Sequence, residues 1–227
     1  TAVNIVTLED PIEYQIAGVN QVQVNSQAGL TFASGLRSFL RQDPNIIMVG
    51  EIRDAETADL AIQASLTGHL VFSTLHTNNA SGALPRLLDM HAEPYLIAST
   101  VTCVVGQRVL RKTCSACKIP KQVSVEVSDQ VKKVLGDLYD FSKNKINLYG
   151  AKGCPECNNT GYSGRVAIFE VLPISEKISR LILIRETSQT IEREAMGEGM
   201  ITMIQDGYLK VLEGMTTIEE VLRIAQA

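Results

Sequence analysis

The chain has 227 residues, 45% of them apolar and 20% charged, enough to bury a full core with the make-up of an ordinary globular protein. A net charge of −4, an aromatic content of 5% and the absence of Trp count against a surface that binds nucleic acid by charge or by base stacking. No apolar run reaches the ~18–20 residues that a membrane-crossing helix needs, so no direct span is expected.

Thr1–Leu8 opens without Met and without a basic-then-apolar leader pattern. It reads as the start of a buried strand, and the sequence is therefore expected to be a fragment of a longer protein. Residues 3–8 form an apolar run of the kind buried on both faces of a sheet, and 19–24 alternate strictly. Phe32, Leu36, Phe39 and Leu40 recur at helical spacing within 31–42, and Pro44 stops that helix. Ile46–Val49 is a second buried strand. Residues 54–67 read as a helix opened by Asp54 as N-cap and closed by Gly68. Leu70–Leu75 is a third buried strand, and helices are expected at 79–90 and 94–110, with Cys103 inside the latter as core.

The pattern changes at 112–160, which holds both Cys-x-x-Cys pairs, many Lys and little periodicity beyond a helix near 127–139. Helices follow at 175–186, 188–197, 200–213 and 217–226, the last with Thr217 and Glu220 at capping-box spacing. Met196, Met200, Met203 and Met215 in these helices are read as packing residues. Short buried strands alternating with helices predict an α/β fold with a mainly parallel sheet. The expected domains are 1–111 for that core, 112–160 for a tetracysteine metal-binding subdomain and 161–227 for a C-terminal helical domain.

In an open parallel sheet, groups that bind ligands sit beyond the carboxyl ends of the strands. The first strand ends in Glu9-Asp10-Pro11-Ile12-Glu13, the second in Gly50-Glu51-Ile52-Arg53-Asp54, and the third is bracketed by His69 and His76. Four apolar residues followed by Gly50-Glu51 make a Walker B pattern, whose acid holds Mg²⁺ through water. Arg37, Arg41 and Arg53 are candidates for phosphate contact, and Arg37 and Arg41 are expected to share one helix face at i, i+4. A solvated strand end and surface ion pairs are the competing readings of these acids and arginines. Cys114-x-x-Cys117 and Cys154-x-x-Cys157, separated by 118–153, can deliver four thiolates to a tetrahedral Zn²⁺. Such a closed set leaves no position for water, so its role is structural. With no secretory pattern, a metal site is expected over disulfides, and redox cysteines are the alternative.

EDPIEY at 9–14, LRSFLRQDPNIIMVGEIRD at 36–54 and TGHLVFSTLHT at 67–77 resemble the Asp box, Walker B and His box of the bacterial secretion ATPases. That family powers type II secretion and type IV pilus assembly. The resemblance continues through both Cys pairs and GYSGRVAIFEVLPIS at 161–175, covering nearly the whole chain. It implies a RecA-like P-loop NTPase core, a homohexamer, and Mg²⁺-dependent ATP hydrolysis coupled to an inner-membrane platform protein. It also implies a cytoplasmic location at the inner membrane through partners.

Residue by residue, the resemblance makes Glu13 the catalytic carboxylate and Glu51 the Walker B acid. It puts His69 and His76, with Glu9 and Asp10, near nucleotide and Mg²⁺. The tetracysteine spacing resembles the insert of assembly and secretion members, which retraction motors lack. One departure stands out: no G-x-x-x-x-G-K-[ST] loop occurs in the 227 residues. That loop is expected upstream, and the chain alone is not expected to hydrolyse ATP. The readings set against this one are a zinc-dependent, non-catalytic interaction or nucleic-acid-binding module and a DNA-uptake motor of the same superfamily.

Overall fold

The computed structural model describes residues 3–225. Thr1 and Ala2, before the first expected strand, and Gln226, at the end of the last expected helix, lie outside the described residues. The chain forms two compact units. One runs through Thr77 and adds Ser81–Val104 and Pro173–Glu194; the other holds Asn78–Ala80, Val105–Leu172 and the residues from Ala195 onward.

The first unit is built on β1 (Ile5–Glu9), β2 (Asn20–Gln23), β3 (Ile46–Val49) and β4 (Leu70–Ser73). They lie in the order β2-β1-β3-β4 and all neighbours run parallel. The central β1 buries Val6, Thr7 and Leu8, as a strand covered on both faces should. Helix α1 (Phe32–Phe39) starts at a Thr31–Ser34 capping box and turns Ala33, Leu36 and Phe39 inward. At Gly35 a Cβ would stand only 2.5 Å from Leu8 Cδ2, so this glycine is what lets the helix lie so close to β1. Helix α2 (Ala55–Leu66) begins as its sequence predicts, with Asp54 Oδ1 accepting the Thr57 N–H at 2.8 Å. Two short helices follow, α3 (Ala83–Asp89) and α4 (Pro94–Thr100). On β4, the last strand of this sheet among the described residues, Leu70 and Phe72 are half exposed.

The expected helix at 94–110 is corrected by the structure. It ends at Thr100, and β5 (Cys103–Thr113) takes over. Val101, Thr102, Val104 and Val105 are β-branched and stiff at χ1, which favours an extended chain, and Val105, Gln107 and Val109 alternate outward. Cys103 is exposed on this strand and is not core.

In the second unit β5 pairs with β8 (Tyr162–Pro173), and β6 (Lys118–Lys121) pairs antiparallel with β7 (Leu148–Ala151). Helix α5 (Val125–Leu135) sits where a helix is expected in this segment. The helical tail is shared: α6 (Glu176–Leu183) and most of α7 (Ser188–Gly197) belong to the first unit, α8 (Met203–Leu212) and α9 (Ile218–Ala225) to the second. Leu110, Leu135, Ile168, Tyr208, Val211 and Val221 are core of the second unit. Met200 and Met203 are buried, whereas Met196 and Met215 reach the surface. Glu170 is a buried carboxylate satisfied by the N–H groups of Ala80 and Met203, the latter at 3.2 Å.

A buried charge also organises α9. Thr217 caps the helix, its hydroxyl accepting the Glu220 N–H at 3.4 Å. The Glu220 side chain, 1% exposed, turns to two arginines. Arg223 reaches it at 2.6 and 2.9 Å, and Arg111 supplies its backbone N–H, Nε and Nη2 at 2.7–3.0 Å. The Arg111 guanidinium also lies 4.3 Å from the centre of the Tyr162 ring. Hydrogen bonds from Arg223, then those from Arg111, hold the Glu220 carboxyl far below its ordinary range against the opposing effect of burial. A depressed folded-state pKa stabilises above the unfolded value of ~4.3, and that contribution is lost as pH falls below it. Glu220→Gln should therefore cost about 1–3 kcal/mol near neutral pH, discounted because both guanidinium groups are half exposed. Urea unfolding across pH should show the gap to the parent protein closing below about pH 4; equal stability at neutral pH would refute the account.

Candidate functional site

The carboxyl ends of β1, β3 and β4 are level, with Leu8 opposite Val49 and Val49 opposite Ser73. Hydrogen bonding continues past the strands. Gly50 N–H donates to the Leu8 carbonyl at 2.7 Å and Ile52 N–H to the Thr74 carbonyl at 3.0 Å. The Thr74 hydroxyl donates to the Gly50 carbonyl at 2.6 Å. A Cβ at Gly50 would stand 3.0 Å from Leu8 O and 3.5 Å from the Phe32 ring, so glycine permits this close passage. With Ile52 buried and the backbone tied on both sides, Glu51 projects from a rigid segment.

Glu51 is the centre of the site. Its side chain is 13% exposed, Arg53 lies on Oε1 at 2.5 Å and His76 Nε2 on Oε2 at 3.0 Å. A carboxylate oxygen only accepts, so His76 Nε2 carries the proton in this contact. The Arg53 hydrogen bond, followed by that of His76, holds the Glu51 carboxyl below its ordinary range against the effect of burial. Arg53 in turn is held more basic, mainly by Glu51 and to a smaller extent by the field of Asp10. Groups from the ends of β1, β3 and β4 thus act on one another here.

The remaining predicted residues are placed differently. Glu9 Oε1 accepts from the Thr7 hydroxyl at 2.6 Å and from Gln21 Nε2 at 2.9 Å. Glu13 is exposed on the loop between β1 and β2. His69 stands at the amino-terminal end of β4, away from Glu51. Its Nδ1 is 2.9 Å from the Ala64 carbonyl, which only accepts, so Nδ1–H donates there. Arg37 pairs with Glu56 across α1 and α2. Arg41 lies beyond the Leu40 C-cap, its N–H bonded to Ser38 O, so it does not share a helix face with Arg37 as expected. Sequence reasoning missed Thr74 and Gln21; Thr74 lies inside the recognised stretch 67–77 and Gln21 in the alternating run 19–24, but only tertiary contacts give them a role.

The second cluster is Cys114, Cys117, Cys154 and Cys157, whose sulfurs all lie within 4.8 Å of one another. Cys114 follows β5, Cys117 precedes β6, and Cys154 and Cys157 flank a tight turn after β7. Sulfur pairs stand 3.7 Å (154–157) and 3.9 Å (114–154 and 117–157) apart, far beyond a disulfide bond. Four sulfurs ~2.3 Å from one tetrahedral ion would be ~3.8 Å apart, so the set fits Zn²⁺. Burial opposes the Cys157 thiolate, but N–H groups of Cys154 and Gly161, at 3.2 and 3.3 Å, outweigh it and lower the pKa to about 6. Burial pushes the Cys117 thiol up to about 12. Of the nearby lysines, Lys118 sits 4.1 Å from the centre of the Tyr149 ring and Lys121 pairs with Glu219 at 2.7 Å.

Comparison with known proteins finds relatives over nearly the whole chain. The family model described as type II/IV secretion system protein matches residues 1–223. The type IV pilus assembly ATPase PilB of Thermus thermophilus is 48% identical over 219 residues, 96% of this chain and 24% of that protein. The type II secretion system protein E of Pectobacterium carotovorum is 46% identical over 223 residues, 98% of this chain and 43% of that protein. The chain thus spans less than half the length of either relative. Among solved structures, the crystal structure of the pilus retraction motor PilT with bound ADP superposes with a TM-score of 0.67 at 28% identity, covering 98% of this chain and 52% of that one. The expected α/β parallel core of RecA-like type, the tetracysteine cluster and the helical C-terminal region are all present.

Since Arg53 is the largest influence on Glu51, Arg53→Ala should raise the Glu51 carboxyl pKa toward the ordinary ~4.3, read from its side-chain carbon shift by NMR titration. An unchanged titration would show that the pair does not form in solution.

Proposed function

The chain belongs to the type II/IV secretion system protein family, and from that premise we propose that it is part of an ATPase that powers type IV pilus assembly or type II secretion. The observation that carries the reading is the contact of Glu51 with His76 at the level ends of adjacent parallel strands, with Glu9, Asp10 and Glu13 following the next strand. On this reading the whole protein works as a homohexamer in the cytoplasm and pushes or turns an inner-membrane platform protein. On the same reading the half-exposed apolar residues of the edge strand β4, Leu70 and Phe72, would pair and pack with a further strand.

Glu51 suits a hard cation held through water, its carboxyl standing below its ordinary range beside Arg53 and His76. Mg²⁺ bound there would neutralise charge on the phosphates of ATP. Glu13, exposed and ahead of β2, orients the attacking water and takes up its proton. His76 offers a hydrogen bond to Glu51 or to a phosphate oxygen. Arg53, 62% exposed, is free enough to exchange Glu51 for a phosphate. Arg37 and Arg41 are candidates for contact across a subunit boundary, and Glu9 and Asp10 for support around nucleotide and metal; His69, at the other end of β4, takes no part. Cys114, Cys117, Cys154 and Cys157 hold a structural Zn²⁺.

In the full-length protein Glu13→Gln and Glu51→Gln should each lower ATP turnover by roughly 100-fold or more. Turnover intact in both would overturn these roles. The metal has its own check: elemental analysis should find one zinc per chain, and a strong chelator should lower the melting temperature. A chain free of zinc, or one whose melting is indifferent to chelation, would remove Zn²⁺ from the account.

A further inference from the structure

We propose that Gln21 is a positioning residue for Glu13, its one amide group stapling the β1–β2 loop in the shape that presents that carboxylate. The inference rests on the reading of Glu13 given above. Strands β1 and β2 are adjacent and parallel, so residues 10–19 must leave the end of β1 and return to its start, where Asn20 pairs with Val6. Parallel neighbours ordinarily need a crossover of a dozen or more residues. This shorter loop contains no helix or strand. After Glu13 its two large apolar side chains before Gly18 do not anchor it either: Tyr14 is 81% exposed and Ile16 57%, while Ile12 and Val19 at its two ends are half-buried.

Gln21 supplies what packing does not. It sits opposite Thr7 in the strand register. Its Nε2 donates to Tyr14 O and to Glu9 Oε1, both at 2.9 Å, and its Oε1 accepts the Ile16 N–H at 2.7 Å. The orientation of the amide is settled by its partners. A backbone carbonyl can only accept and a backbone N–H can only donate, so a flipped amide would lose both loop bonds at once. Two of the three bonds therefore clamp the backbone immediately after Glu13. The third ties the clamp to Glu9, which the Thr7 hydroxyl holds from the other side at 2.6 Å. Nothing in the Gln21 side chain reacts; it acts through the backbone on either side of Tyr14 and through Glu9.

The experiment uses the full-length protein. Gln21→Met keeps the length of the side chain and removes all three bonds. It should lower kcat for ATP by about 10- to 100-fold, the scale set by misplacing a catalytic group by about 1 Å, and leave KM within about twofold. Hydrogen exchange at the Ile16 amide should speed up by roughly tenfold, a readout independent of catalysis. Because Gln21 works through Glu13, Gln21→Met should cost nothing further in a Glu13→Gln background. Equal losses in both backgrounds, turnover within twofold of the parent, or unchanged Ile16 exchange would each overturn the proposal. Full activity of Glu13→Gln would instead overturn the role of Glu13 itself, a distinct outcome. Should Gln21→Met not fold, Gln21→Glu keeps the acceptor for Ile16 while losing both donors, so the kinetic expectations apply unchanged while Ile16 exchange should stay near that of the parent.

Discussion

In a parallel sheet every strand delivers its following loop to the same edge, and β1, β3 and β4 do so in step. Leu8 lies opposite Val49 and Val49 opposite Ser73, so groups from three distant stretches of chain emerge at one level. The bonds from Gly50 to Leu8 and between residues 50–52 and Thr74 carry this registry beyond the strands themselves. Glu51 therefore leaves a backbone held on both flanks, and small side chains are required where the chain passes β1. Slipping β3 by one residue would send Glu51 to the opposite face.

The electrostatics follow from that placement. A carboxylate only 13% exposed would rise in pKa if left alone, yet Arg53 and His76, each on its own oxygen, reverse the sign. Glu51 is thus kept ionised by groups that are themselves well exposed, His76 at 85%. Partners open to water hold a neighbouring charge yet can exchange it for a ligand. Glu220 in the second unit shows the contrasting design. It is almost wholly buried, held by two arginines and three donors of Arg111 alone, and it anchors α9 to β5. One arrangement suits chemistry and the other suits permanence.

The second unit is held by more than apolar packing. Its core of Leu110, Leu135, Ile168, Tyr208 and Val221 is supplemented by the four converging sulfurs and by the Glu220 cluster. The cysteines come from the ends of β5 and β7 and the start of β6, so an ion held there would tie β5 to the paired β6 and β7.

Much of this was legible in the order of residues, because it depends on local rules. Strand runs at 3–8, 46–49 and 70–75, the Asp54 cap, the Cys-x-x-Cys pairs and the helices of the tail all rest on periodicity and short-range bonding. Glu51 and His76, which the structure brings into contact, each stand in a motif singled out in the sequence. What local rules could not supply was decided by distant partners. Residues 101–110 are apolar enough to be read as a helix and became strand by pairing with β8. Arg41 fell past a helix end, His69 was drawn to the last turn of α2, and Gln21 acquired its role from Tyr14, Ile16 and Glu9. The residues alone determined which groups could do chemistry and on which segments they ride. Only tertiary structure decided which of them meet, because a hydrogen bond of about 3 Å between residues 25 apart, as from His76 to Glu51, depends on strand register and is written in no single stretch of chain.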